Sequence, residues 1–131
     1  MKHTEYFIMK FYTKMPKALQ PFYQNELTKA AASLRKGHYI ICWRHLERAH
    51  ILGQPYPCQH TAVHWKMFLF GIKLKNWKEV IAQIPRLLVG GVKSFVGHIP
   101  VGNTGGANVP PLLQMEIAED LAEIINNTKT K

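Results

Sequence analysis

Gly37-His38-Tyr39-Ile40-Ile41-Cys42, continued by Leu46 and Ala49, is answered thirty-eight residues later by Lys75-Asn76-Trp77-Lys78-Glu79-Val80, continued by Ile84 and Leu87. In each copy a turn leads to an aromatic residue, then a small or branched residue three positions on, then apolar residues four and seven beyond that. Steps of three, four and three mark one face of an α-helix. Their recurrence at this period marks repeated helical hairpins, which bury their apolar faces on one another.

Working outward from these copies, each acquires a partner helix. Pro21 suits a first helical position, and Tyr23, Leu27, Ala30, Ala31 and Leu34 follow at helical spacing until Gly37. The second helix is expected over residues 39–52, ended by Gly53 with Pro55 and Pro57 behind it. A third is expected over residues 60–74 and a fourth from Trp77 through Leu88, weakened by Pro85, Gly90 and Gly91. Residues 99–111 carry three Gly and three Pro and read as a built loop, and a last helix is expected over residues 116–125. The fold class is therefore all-α: two stacked antiparallel helical hairpins, a Gly/Pro-rich loop and a C-terminal helix. It forms a single domain with a basic, aromatic arm at 1–20, hairpins at 21–97, the loop at 98–115 and the last helix and tail at 116–131.

The chain has 131 residues, 47 % of them hydrophobic and 19 % charged, which is a globular composition. No uninterrupted apolar run is long enough to span a bilayer, and the N-terminus lacks a signal peptide's central apolar run, so a cytoplasmic location is expected. Two cysteines, Cys42 and Cys58, are too few for a disulfide framework, and Cys58 is a remote candidate for a soft metal ligand. The net charge is +9, concentrated before residue 101. Such a body attracts an acidic protein or peptide, nucleic acid or an anionic surface. Nucleic acid is disfavoured because no recognition motif accompanies the charge. Self-association is the other partner expectation, since two repeats leave apolar faces to cover.

The paired hairpins resemble the tetratricopeptide repeat, whose second helix begins Gly-x-aromatic-x-x-Ala. The likeness covers roughly residues 22–90, with Cys42 and Val80 in place of Ala. Two further blocks are more specific. Trp43-Arg44-His45-Leu46-Glu47-Arg48-Ala49-His50-Ile51-Leu52-Gly53-Gln54, followed by His60 and His64, is the first. The second is Pro100-Val101-Gly102-Asn103-Thr104-Gly105-Gly106-Ala107-Asn108-Val109. Together they resemble a bacterial family of small proteins, domain of unknown function 3703. That resemblance implies kinship and no activity.

Candidate chemistry gathers where the hairpins meet. Glu47 and His50, three apart, share a face of the second helix, and His60 and His64, four apart, share a face of the third. Antiparallel packing across a short loop brings Glu47 level with His64. Three imidazoles and a carboxylate suit a transition metal such as Zn, Fe or Cu. Glu26 precedes His64 by one repeat and is a further carboxylate candidate. The Gly102–Gly106 loop lacks a phosphate-binding ending, and Asn103 or Thr104 is expected to cap a helix or hold one of the histidines. The leading expectation is a helical protein binding a transition metal at this His/Glu cluster. The alternative is a tetratricopeptide-like interaction module without metal or catalysis. No nucleophile signature appears, and the sequence leaves open whether the protein is an enzyme.

Overall fold

A computed structural model describes residues 14–95, 102–110 and 113–128, with side chains in the fourth helix described through residue 88. The aromatic residues of the N-terminal arm, His98 and the two ends of the Gly/Pro-rich segment lie outside the described residues.

Helices α1 (Gln20–Arg35), α2 (Tyr39–Gly53), α3 (Pro57–Lys73), α4 (Trp77–Phe95) and α5 (Glu119–Thr128) make up the described fold, which is all-α. α1 packs on α2 and α3 on α4, forming two hairpins; α2 lies against α3, and α5 sits on α2. The first turn is closed by Gly37 at φ +75°, with His38 N–H donating to Ser33 O at 2.9 Å. The α2–α3 corner is tight. A Cβ on Gly53 would stand 3.0 Å from the Tyr23 ring, and the Tyr23 hydroxyl donates to Gln59 O at 3.0 Å. Pro57 starts α3 three residues earlier than expected, because proline is pre-organised for a first helical position. In the second turn Lys75 adopts φ +55°, and Asn76 Oδ1 accepts from Glu79 N–H to cap α4.

The core is the seam between the hairpins. Cys42, Leu46, Ala49 and Leu52 of α2 meet Val63, Met67 and Phe70 of α3, with Tyr23 and Ala30 of α1 behind and Leu121 of α5 above. On α1 the buried set is Tyr23, Glu26 and Ala30, while Ala31 is exposed. α5 begins three residues later than expected, at Glu119, with its acids in the first turn where the helix dipole favours them.

The largest departure is in α4. Its repeat pattern predicts an inward face of Val80, Ile84 and Leu87. Val80 is buried, but Ile84 is 44 % exposed and Leu87 half-buried. The residues that go inward with Val80 are Glu79, Gln83 and Arg86, at 7 %, 0 % and 7 % exposure. The reason is hydrogen bonding. Loop residues 105–109 lie against this face, and their backbone groups need polar partners when buried. Gln83 Nε2 donates to Gly105 O at 2.9 Å, Arg86 Nη2 to Val109 O at 2.9 Å, and Ala107 N–H donates to the Glu79 carboxylate at 3.1 Å.

Candidate metal centre

His50 lies in the buried last turn of α2, while His60 and His64 stand one turn apart on α3. The short α2–α3 corner folds these stretches together. The three Nε2 atoms form a nearly equilateral triangle: 3.0 Å from His50 to His60, 3.0 Å from His60 to His64, and 3.1 Å from His50 to His64. The rings are tilted 60–73° to one another, like blades around a common axis. All three residues are buried, at 2 %, 7 % and 2 % exposure. Among the described residues, this is the group of His, Cys, Asp or Glu whose ligand atoms converge.

The outer nitrogens fix the protonation of two rings. His50 Nδ1 lies 2.7 Å from Asn103 O, a carbonyl that only accepts, so Nδ1 carries the hydrogen. Gln83 gives its amide hydrogens to Glu79 Oε2 at 2.6 Å and Gly105 O at 2.9 Å, which orients its oxygen toward His64. His64 Nδ1–H therefore donates to Gln83 Oε1 at 2.6 Å. Burial, reinforced by His60 and His64, holds the His50 imidazole well below its usual pKa and hence neutral, with the Asn103 carbonyl opposing in part. With their Nδ1 atoms bonded outward, His50 and His64 turn Nε2 toward each other and toward His60 Nε2, at 3.1 Å and 3.0 Å.

A glycine-rich lid completes the site. Asn103 shapes it: its Oδ1 accepts from Gly105 N–H at 2.9 Å, and its Nδ2 donates to Pro110 O and Leu113 O. Gly105, at φ +88°, lies so close to His50 that a Cβ there would be 2.7–2.9 Å from the ring. Glycine is needed at this position both for its backbone angle and for the approach.

The other residues singled out in the sequence stand elsewhere. Glu26 is buried in the α1–α2 interface, accepting from His45 Nδ1 at 2.7 Å and Arg48 Nε at 3.0 Å. Its carboxylate is used there. Glu47, one turn before His50, is outside the converging group. Burial pushes its carboxyl pKa up, Trp43, Arg44 and Thr104 hold it back in part, and Glu79 adds to the rise. The Thr104 hydroxyl is buried beside it without closing a hydrogen bond of good geometry. Asn103 supports His50 through its backbone carbonyl, while its side chain braces the lid. Cys58 is exposed and outside the group, and Cys42 is a buried core thiol.

Sequence reasoning missed Gln83, Glu79 and Gly105. A signal existed for the first two: Glu79, Gln83 and Arg86 recur at helical spacing on a helix whose apolar residues form a separate stripe.

Fold and site together define a small helical-hairpin protein with a buried tri-histidine cluster under a glycine-rich lid. The chain belongs to the family described as "Protein of unknown function (DUF3703)", whose model matches residues 17–125. No curated protein and no solved structure matches the chain.

Proposed function

We propose that this protein binds a single transition-metal ion, of the Zn, Fe or Cu class, through Nε2 of His50, His60 and His64. The observation that carries this reading is the triangle of Nε2 atoms at 3.0–3.1 Å, with Nδ1 of His50 and of His64 bonded outward to Asn103 O and Gln83 Oε1. Three imidazole nitrogens converging on one point form a donor set that a cation can occupy. The size fits: an ion about 2.0–2.1 Å from each nitrogen sits about 1 Å out of the triangle's plane, a pyramidal position with a fourth direction left for water or a small ligand. The outward hydrogen bonds to Asn103 O and Gln83 Oε1 are of the kind that orient metal-binding imidazoles and raise their basicity. Imidazole donors without thiolate or carboxylate suit Zn, Cu, Fe and Ni better than Mg or Ca. The two free thiols fit a reducing compartment, and we place the protein in the cytoplasm.

The test is metal analysis of purified, untagged protein before and after reconstitution with Zn, Fe and Cu salts. The expected result is one ion per chain, lost in the His50→Ala/His64→Ala variant while the helical circular-dichroism signal persists. Trace metal only, after all three reconstitutions, overturns the reading.

A further inference from the structure

α4 carries a second feature, on the side opposite its buried polar row. Trp77, Ile81, Ile84 and Leu88 follow one another at four, three and four residues, which places them along one narrow stripe. All four are exposed, at 56 %, 67 %, 44 % and 74 %. α3 adds Trp65, Leu69 and Ile72 on its own outer side, at 51 %, 46 % and 41 %. Scattered exposed apolar residues are ordinary, but an unbroken helical stripe containing tryptophan is a docking surface.

Charge says what docks there. Between residues 48 and 115 the single acidic residue is Glu79, and it is buried beneath the stripe's helix. Lys66, Lys73, Lys75 and Lys78 are all exposed, three of them clustered at the turn where α4 begins. A second copy would set these lysines against their own kind. An acidic surface into which a convex apolar ridge can sink suits them instead. A helix with Trp, Ile and Leu on one side and lysines at its edge lies in the headgroup region of a bilayer, its cations on anionic lipid.

We infer that α4 is a peripheral membrane-docking helix for anionic bilayers, with Trp77, Ile81, Ile84 and Leu88 inserted and Lys73, Lys75 and Lys78 on the headgroups. No helix among the described residues is long and apolar enough to cross a membrane, so the contact is interfacial. The inference is independent of metal binding.

Flotation of the full chain with vesicles of phosphatidylglycerol and phosphatidylcholine in equal parts, against phosphatidylcholine alone, tests it. Binding is expected to the anionic vesicles and to weaken with salt. The exposed-site double variant Ile81→Glu/Leu88→Glu should lower partitioning at least about tenfold with metal content unchanged, since each inserted carboxylate opposes both burial and surface potential. Each of Lys73→Gln, Lys75→Gln and Lys78→Gln should lower it up to about fivefold. Failure to float with anionic vesicles overturns the inference. So does flotation that the double variant leaves intact, which would assign binding to other lysines. A dimer in solution that Ile81→Glu/Leu88→Glu dissociates, with no vesicle binding, would give the stripe to a second copy and also overturn it.

Discussion

α2 and α4 hold the same place in successive hairpins and follow the same apolar pattern, yet they turn opposite kinds of face inward. α2 buries Cys42, Leu46 and Ala49; α4 buries Glu79, Gln83 and Arg86 and leaves Ile81, Ile84 and Leu88 in the open. What differs is the neighbour. α2 meets side chains of α1, α3 and α5 and touches the 102–109 lid at His50 and Trp43, whereas α4 bonds the lid's backbone from three side chains, Glu79, Gln83 and Arg86. A backbone taken out of water must find hydrogen-bond partners, and α4 supplies them from its polar side. One rotation then has two consequences: it builds support for the His cluster beneath the lid, and it exposes an apolar stripe above.

The sharpest way to break this comparison is to truncate the same repeat position in both helices. Leu46→Ala removes a side chain that is 3 % exposed and should cost about 2–5 kcal/mol in urea denaturation. Ile84→Ala, its repeat equivalent at 44 % exposure, should stay within about 0.5 kcal/mol. Equal losses would mean that α4 packs like α2.

Next in size is the lid. Gly105→Ala combines an unfavourable φ of +88° with a methyl 2.7–2.9 Å from the His50 ring. It should destabilise by about 2–3 kcal/mol and weaken metal binding. Gly37→Ala has φ +75° but open space around the added carbon, so it should cost about 1–2 kcal/mol and spare the metal. Calorimetry of unfolding with and without metal separates the two.

Gln83→Leu would give α4 an apolar interior like that of α2. It removes the hydrogen-bond partner that Gln83 gives to His64 Nδ1–H and to Gly105 O, and one of the donors to Glu79, so a loss of about 1–3 kcal/mol is expected. Metal affinity measured by chelator competition should fall about 10–100-fold.

The smallest effect concerns α2's own polar residue. Burial raises the folded-state pKa of Glu47, so its ionisation penalises the fold above that pKa. The penalty fades as pH falls toward the unfolded value of about 4.3. Because the side chain is half-buried, Glu47→Gln should stabilise by no more than about 0.5–1 kcal/mol at pH 7 and by nothing below about pH 4. Its metal content should equal that of the unaltered protein; loss of metal would make Glu47 a ligand.

The hairpins, their turns and the convergence of His50, His60 and His64 were legible because each follows from local spacing and a short corner. The facing of α4 was not, because two stripes compete on that helix. The winner is decided by main-chain groups of a loop far along the chain, which no side-chain pattern encodes. Glu26 was legible as a buried carboxylate position only after the structure paired it with His45 and Arg48. Its repeat relation to His64 describes helix register and carries no information about partners. Gln83 was hidden for a related reason: a lone Gln between apolar residues reads as surface until its partners are known.

X-ray absorption spectroscopy of the metal-loaded protein probes the His50–His60–His64 centre directly. Three imidazole nitrogens at about 2.0–2.1 Å with no sulfur shell near 2.3 Å are expected, and the imidazole scattering should vanish in His50→Ala/His64→Ala. A sulfur shell, or an all-oxygen shell that survives the double substitution, would contradict a metal held by these three side chains.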